Sequence, residues 1–551
     1  MKMMVIAPRS TANSDYSGWW EGGEDGKTIA RVASCAIATV AAFAPDDFDV
    51  SLLDESVEVF DPDRHGDADL YAITANVGQA SGGIRLAQTL RKMGKTVIMG
   101  GPHVSLAPEL FEAHADAIVV GEMEPVAEAV FEDIRNDSLK PRYDSTKADM
   151  LTSPVPRWDL YPNDQAFFGV VQTSRGCPFE CHFCDVIQYL GRVQRHKSNA
   201  QIIAELQLLY DKGYSHVFLA DDNFTVYRKR ARSLLEAIAA WNGKEGREYM
   251  TLFTQLSIDL SKDLELVELC REAGLVSAFV GIETNNVESL KESKKRQNVK
   301  VDLTEEITKI VSKGMRLDGG LIAGFDHDDH SIFESLYDFT RTLPVGYFAV
   351  SVLVAPVATP LYDTMLAEGR LVLEDTMSHF AAAPLVTNIL PKQMTREELY
   401  VGTRWLASKI FNPESFFERF TRISETLQSA PWEVPDAKAS RRPARKLQAK
   451  LYADLFRQEM RKDPQFADMM RRALKLIKAN PHIKDNLGEI LGHYTLSLNN
   501  RRTFGIYDGE WAKLDAPPFG TDTARQSWIK ATSAISQDLE HTKKPVLQAA
   551  E

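Results

Sequence analysis

Through the first 140 residues, short apolar runs bounded by turn residues alternate with longer stretches of helical spacing. Runs at 2–8, 48–54, 70–74, 96–101 and 117–121 read as buried strands, and the spacing at 29–43 and 83–92 reads as helix. Strands separated by helices pack as a parallel sheet covered on both faces. This part is therefore expected to be α/β, a Rossmann-like, doubly wound sheet that takes ligands beyond its carboxyl strand ends. The alternation continues from about 151 to 375, with strands at 167–173, 216–220, 249–255, 278–282, 319–325 and 348–354 and helices such as 199–210. Six strands fall short of a closed eightfold barrel, which predicts an open, partial (β/α)6 barrel with its site at the carboxyl-end mouth. From 376 the pattern is mainly helical, as at 396–406 and 466–477, and these helices are expected to cover that mouth. The expected division is thus 1–150, 151–375 and 376–551.

Composition narrows the function. The chain has 551 residues, 44% hydrophobic and 26% charged, which fits a multi-domain globular protein. A net charge of -13 argues against a nucleic-acid partner, because phosphate neutralisation needs an excess of Lys and Arg. With no run of about eighteen apolar residues, no transmembrane segment is expected. Residues 431–450 gather Lys438, Arg441, Arg442, Arg445, Lys446 and Lys450, which reads as a solvated linker or as a basic patch for peripheral contact with an anionic membrane. The last dozen residues read as a frayed tail.

Three of the 5 cysteines lie in Thr173-Ser-Arg-Gly-Cys-Pro-Phe-Glu-Cys-His-Phe-Cys-Asp185, at CxxxCxxC spacing. An odd number of neighbouring thiols in a chain without a signal peptide argues against a disulfide framework and for a reduced, cytoplasmic setting. A zinc knuckle would need a fourth ligand, and His182 lies inside the triplet, where joint ligation is strained. Four-iron clusters usually take four Cys ligands, so three together point to a 4Fe-4S cluster with one iron left for a small molecule. Gly176 and Pro178 bend the chain around the first thiol.

The triplet, with aromatic Phe183 before its last Cys, resembles the CxxxCxΦC signature of the radical S-adenosylmethionine (SAM) superfamily. The resemblance implies that Cys177, Cys181 and Cys184 hold the cluster and that SAM chelates the open iron. Where the superfamily usually has a Gly-Gly-Glu motif, this chain has Asp221, Asp222 and Asn223. The SAM-binding set it implies is Phe183, Arg195, Asp222, Gln255, Ser257 and Glu283; Arg192 and Arg195 are candidates to pair with a carboxylate. For any one of these positions, helix capping or a surface ion pair is an equal alternative. Gly324-Phe-Asp-His-Asp-Asp329 reads as a turn capping the next helix before it reads as a metal site.

At the strand ends of the first region stand Thr74, Gly100-Gly-Pro-His-Val104 and Gly121-Glu-Met-Glu124. Glycines at strand ends let the backbone approach a large planar ligand, although such pairs also serve ordinary turns. Together with the triplet, GGPH and GExE resemble the cobalamin-binding domain ahead of the radical core in one subgroup. Gly324-Phe-Asp-His-Asp-Asp329 and Ala355-Pro-Val-Ala-Thr-Pro-Leu-Tyr362, with Asp221-Asp-Asn-Phe224, Gly281-Ile-Glu-Thr284 and Glu368-Gly-Arg-Leu371, look like the cobalamin-dependent subgroup that includes the hopanoid C-2 methylases. The cobalamin set implied is Thr74, Gly100, Gly101, His103, Val104, Gly121, Glu122 and Glu124. Cobalamin domains that ligate cobalt through His carry DxHxxG after the first strand, whereas here the loop reads Ala7-Pro-Arg-Ser-Thr-Ala-Asn-Ser-Asp15. The lower face is thus expected to lack a His ligand, and Tyr16, Trp19 and Trp20 either cover the ring or simply pack the loop.

The resemblance implies a radical SAM C-methyltransferase acting on an unactivated carbon of a small-molecule or lipid-like substrate. It would use a 4Fe-4S cluster, SAM and cobalamin, with a low-potential electron donor such as flavodoxin. Two rivals remain at this stage: the same cofactors used for cyclisation, oxidation or rearrangement, and a non-catalytic cobalamin sensor. Sequence names no substrate.

Overall fold

The computed structural model describes residues 1–10, 19–21, 28–372, 385–429, 440 and 442–543, with the backbone alone at 19–21 and 534–543. Tyr16, Lys438, Arg441 and the end of the tail lie outside the described residues, as do the side chains of Trp19 and Trp20.

Strands β1 (Lys2–Ala7), β4 (Asp49–Asp54), β5 (Leu70–Thr74), β6 (Thr96–Gly100), β7 (Ala117–Val120) and β8 (Arg142–Asp144) form one sheet in the order β4-β1-β5-β6-β7-β8. Every pairing in it is parallel. The order reverses beside β1, so the β1/β5 crevice is the switch point where such sheets bind ligands. One face packs Met4, Ile6, Tyr71, Ile73, Val97 and Met99 with helix Ala80–Lys92. The opposite face looks toward helices Cys35–Ala41 and Ala127–Arg135.

The second sheet runs β16-β15-β14-β13-β12-β9-β3-β2. It joins β9 (Ala166–Val171), β12 (His216–Leu219), β13 (Thr251–Leu256), β14 (Leu275–Glu283), β15 (Arg316–Ala323) and β16 (Tyr347–Val352), all parallel, as the partial barrel. Beyond β9 lie β3 (Thr28–Val32) and β2 (Trp19–Glu21). The first four residues of the helix expected at 29–43 are therefore strand, and helix starts only at Cys35. The β-branched residues Thr28, Ile29 and Val32 favour a pleated edge, and pairing with β9 (Ala30 with Ala166, Val32 with Phe168) outweighs the helical spacing of the alanines. An early segment thus extends the barrel sheet.

The expected helix at 396–406 reaches the carboxyl end of the barrel, where Leu399 packs on Gly324 just past β15, but two other C-terminal helices lie away from the mouth. Pro443–Lys462 and Lys484–Thr503 close the opposite, amino end of the barrel, where Phe168, Phe218 and Phe253 project into a cavity of about 130 Å³. An open barrel exposes apolar lumen at both ends, so the base needs its own cover. Of the basic residues that enter this helix, two turn inward: Arg442 lies over the Tyr210 ring and donates to the Tyr214 carbonyl at 2.6 Å, and Arg445 is buried, whereas Lys446 and Lys450 are exposed. Among the described residues no helix is long and apolar enough to cross a membrane.

His216, at the start of β12, fastens that cover. Its Nε2 meets Gln448 Oε1 at 2.9 Å and its Nδ1 faces the Thr251 hydroxyl. Burial pushes its pKa down to about 4 from 6.5. The unfolded ring takes up a proton first, so the contribution of neutral His216 is intact above pH about 6.5 and is lost as pH falls toward 4. Replacing it (His216→Gln) is expected to remove about 3 kcal/mol of this acid-dependent loss. Urea unfolding of both proteins at neutral pH and near pH 4.5 measures the difference.

Candidate active site

The two sheets meet carboxyl end to carboxyl end. Between them lies a cavity of about 420 Å³. Its floor is one face of the first sheet, with Met3, Val5, Leu70, Ala72, Ile98 and Val119, and it narrows between that sheet and the helices that carry Val40 and Phe131. At the strand ends it is bordered by Thr74, Gly100, Gly101, Gly121, Glu122 and Glu124, and across the seam by Gln172, Arg175, Asp185, Tyr189 and Asp222 of the barrel. Gly101 adopts φ 107, and a Cβ there would stand 2.8 Å from Thr74 Oγ1. The chain turns away from the ligand side only with glycine at this position.

His103 and Val104, expected beside these glycines, do not border the cavity. His103 is buried against Phe111, with ring centroids 5.8 Å apart, and Val104 is fully buried. Burial pushes the His103 pKa down to about 4, so its ring is neutral, and its Nε2 finds no partner among the described residues. Both side chains follow the short helix Pro102–Leu106 into the domain core, because the turn at Gly101 directs that helix inward.

In the barrel, the three cysteines sit on the loop after β9. Gly176, at φ 98, begins it, and a Cβ there would meet Val193 O at 2.8 Å. The Cys177 amide donates to Gly191 O, and the Cys184 amide to Cys181 O. The backbone of His182 is pinned on both sides, to Ser293 O and to the Leu361 amide, within the loop's own scaffold. Among the described residues, no three His, Cys, Asp or Glu side chains converge on one point as ligands of a single ion do. Burial pushes all three thiols up, Cys184 to about 12.

Around this loop the strand ends of the barrel present polar groups. Asp221 is spent on structure: it accepts from the Thr173 and Ser174 amides at 2.8 and 2.9 Å and from the Thr173 hydroxyl. Among the described residues Asp222 accepts from the Gly176 amide, at 3.0 Å, and burial pushes its pKa up to about 6. Asn223 donates to Ser257 Oγ at 2.7 Å, while the neighbouring Gln255 side chain is exposed at the mouth. Glu283 ends β14 at φ 66, a strained conformation that clusters at functional sites, and pairs with Lys295 at 2.6 Å. Burial works against the Lys295 cation, yet Glu283 and the Cys181 and Cys184 thiols hold its pKa above the ordinary value. Phe183 packs toward Phe325, with ring centroids 6.4 Å apart.

Arg195 stands apart from this set. Its guanidinium grips Glu122 of the first sheet through two contacts of 2.6 and 2.8 Å. Arg192 pairs with Glu180 at the surface, at 2.7 Å. The segment after β15 is a turn as expected: Asp328 accepts from the Gly324 and Phe325 amides and from Ser289 Oγ. Lys295 and Arg175 had no role in the sequence reading. Lys295 lies in a charged run that looks solvated. Arg175 is two residues before Cys177 and was readable as part of the motif, but its partners are distant in sequence.

Residues 171–339 match the radical SAM superfamily, and residues 359–483 match a domain of unknown function, DUF4070. An uncharacterized methyltransferase of Synechocystis sp. is 28% identical over 470 residues, 83% of this chain and 84% of that protein. The hopanoid C-2 methylase of Rhodopseudomonas palustris is 30% identical over 345 residues, 62% of this chain and 65% of that protein. The fold matches the solved structure of the cobalamin-dependent SAM radical enzyme OxsB with aqua-cobalamin bound, with TM-score 0.56 and 13% identity, covering 98% of this chain and 84% of that one. The three-thiol loop at the mouth of a six-stranded open barrel, preceded by a doubly wound sheet, agrees with these matches: the chain shares the overall fold of that structure, and its residues 171–339 belong to the radical SAM superfamily.

Proposed function

We propose that this protein is a radical SAM methyltransferase that uses cobalamin to place a methyl group on an unactivated carbon of a small, lipid-like molecule. One observation carries the reading: the strand-end cavity of the first sheet is bordered on the barrel side by Arg175, Asp185 and Asp222, so it reaches both flanks of the three-cysteine loop. When bound there, a reduced 4Fe-4S cluster with SAM supplies a 5'-deoxyadenosyl radical, and methylcobalamin supplies the methyl group.

The chain's own residues divide that work. Cys177, Cys181 and Cys184 hold three irons and leave the fourth open. Asp222, Gln255, Ser257 and Glu283 face the mouth from three neighbouring strands and orient SAM through its polar groups, with Phe183 beside them. Thr74, Gly100, Gly101 and Gly121 leave room for a corrin edge. The apolar cleft behind them, along Val5, Ala72 and Ile98, is deep enough to take an appended side arm. Among the described residues no His borders the cavity, so cobalamin bound here would take no His ligand from them. Closure between the two sheets keeps water from a carbon radical. Electron delivery falls to a separate low-potential donor such as flavodoxin.

Anaerobic reconstitution with iron, sulfide and cobalamin tests the reading, and the two halves of the site are expected to fail separately. Replacing any one of the three cysteines with Ala should abolish the cluster's electron paramagnetic resonance (EPR) signal and deoxyadenosine formation while corrin absorbance is kept. Conversely, a Cβ at Gly100 meets only ordinary contact with Val119, 3.6 Å away, so Gly100→Val should fold and keep its iron. It should bind cobalamin at least about tenfold more weakly, a loss of roughly 1.4 kcal/mol. A product one methyl heavier supports the proposed reaction; deoxyadenosine without that mass gain shows a different radical outcome.

A further inference from the structure

The loop that carries the cysteines is closed by a short neck, which the barrel holds on one side through Asp221 and Asp222. Its two ends are the strands β10 (Ser174–Arg175) and β11 (Arg195–His196), an antiparallel ribbon only two residues long on each side. So short a ribbon has little stability of its own. Its register makes matters worse, because Arg175 lies directly opposite Arg195. Like charges facing across a ribbon repel.

The compensation comes from the other domain. Glu122, just past β7, stands between the two arginines: its Oε2 accepts from Arg175 Nη1 at 2.6 Å and from Arg195 Nη1 at 2.8 Å, and its Oε1 accepts from Arg195 Nη2 at 2.6 Å. Glu124 takes the remaining face of Arg175 at 2.8 Å. The two carboxylate side chains are only 1% and 6% exposed, so the attraction is little screened by solvent. The remaining donors are also satisfied. Arg175 Nε reaches Gln172 Oε1, and Arg195 reaches the carbonyls of Ala148 and Leu190. Two cations and two anions leave the set neutral. Although burial raises the Glu122 pKa, Arg195 and Arg175 hold it below the usual carboxylate value.

We propose that Glu122, supported by Glu124, is the clasp that holds the neck of the cysteine loop shut, so that the first sheet, and not the barrel alone, positions Cys177. Arg175 is two residues from Cys177, and it borders the 420 Å³ cavity together with Glu122 and Glu124. Docking of the two sheets and ordering of the cysteine loop are then a single event. Glu122, Arg175 and Arg195 are positioning residues, and this role rests on the reading of the loop as the cluster site.

The test compares the full-length protein with Glu122→Gln, Arg195→Met and the double variant, each reconstituted with iron and sulfide. Glu122→Gln leaves two facing arginines with one carboxylate, Glu124, which pairs with Arg175. It should retain less than about half of the wild-type iron and show a weakened change in cluster EPR on adding SAM, as expected for a broken buried pair. Arg195→Met removes the excess charge, so the double variant should recover most of the iron lost in Glu122→Gln. Equal iron and an equal SAM-induced EPR change in Glu122→Gln and wild type would overturn the clasp. So would strictly additive losses in the double variant.

Hydrogen exchange without iron separates the clasp from the cluster reading. The amides of residues 174–176 and 195–196 should exchange about tenfold faster in Glu122→Gln, reflecting easier local opening. Wild-type protein that takes up no iron overturns the cluster reading, yet this exchange result still decides on the clasp, and an unchanged rate refutes it. If Glu122→Gln does not fold, Arg195→Lys serves in its place. A lysine keeps the charge but not the two-oxygen fork, so it should show the same two effects at smaller size, and wild-type behaviour would again overturn the proposal.

Discussion

A buried charge network at the seam between two parallel sheets is the constraint on which the rest of the site depends. Both sheets offer their carboxyl ends, which is where parallel sheets bind ligands, and each would be an ordinary half-site alone. Arg175 and Arg195 come from the barrel, and Glu122 and Glu124 come from the first sheet. Taking four charges out of water is costly, and such a network seldom adds net stability over apolar packing. What it gives instead is register. Apolar surfaces tolerate sliding, whereas paired carboxylates and guanidinium groups fit in one arrangement only. At a seam that must align a loop of three thiols with the edge of a large planar cofactor, alignment matters more than adhesion.

The second constraint is the incomplete barrel. Six parallel strands leave an open edge and two open ends, and the chain covers them with parts from elsewhere in the sequence. Strand β3 extends the sheet beside β9, and helices Pro443–Lys462 and Lys484–Thr503 close the base. These pieces hold the barrel from below and from the side, which leaves the mouth free to face the first sheet. Because β3 lies between β1 and β4 in the chain, the first sheet and the barrel are threaded together early, and the seam is short-tethered.

Most of the architecture was legible in the sequence, for a physical reason. Strands buried on both faces show as continuous apolar runs, and helices between them show as a different period, so both sheets and the partial barrel could be read directly. The misreadings came where local pattern and tertiary pairing disagree. Residues 28–32 sit beside alanines with helical spacing, and only β9, far along the chain, makes them a strand. For helices Pro443–Lys462 and Lys484–Thr503 the sequence shows an amphipathic pattern without showing that it meets the amino end of the barrel. In the site, the cysteines, Asp222 and the strand-end glycines were visible as motif members. Glu122 and Arg195 were visible as motif members as well, but as candidate ligands, since nothing local reveals that they hold each other. Lys295 gave no signal, because a lysine buried by tertiary contact is indistinguishable in sequence from its solvated neighbours.

The electrostatics of the mouth indicate what kind of guest it accommodates. Asp185 and Asp222 are pushed up by burial, and so are the thiols of Cys177, Cys181 and Cys184. Lys295 is the nearby fixed cation, and Glu283 already claims it. A site with this composition disfavours another anion. It favours a guest that brings positive charge, since metal ions convert buried thiols to thiolates and reverse the cost of ionising the acids beside them. The clasp at the seam shows the contrasting solution. There the compensating charges belong to the protein, the network is neutral when empty, and the loop can be held in place before any guest arrives. Placing self-compensated charge at the neck and uncompensated acids and thiols at the tip lets one loop be both ordered and receptive.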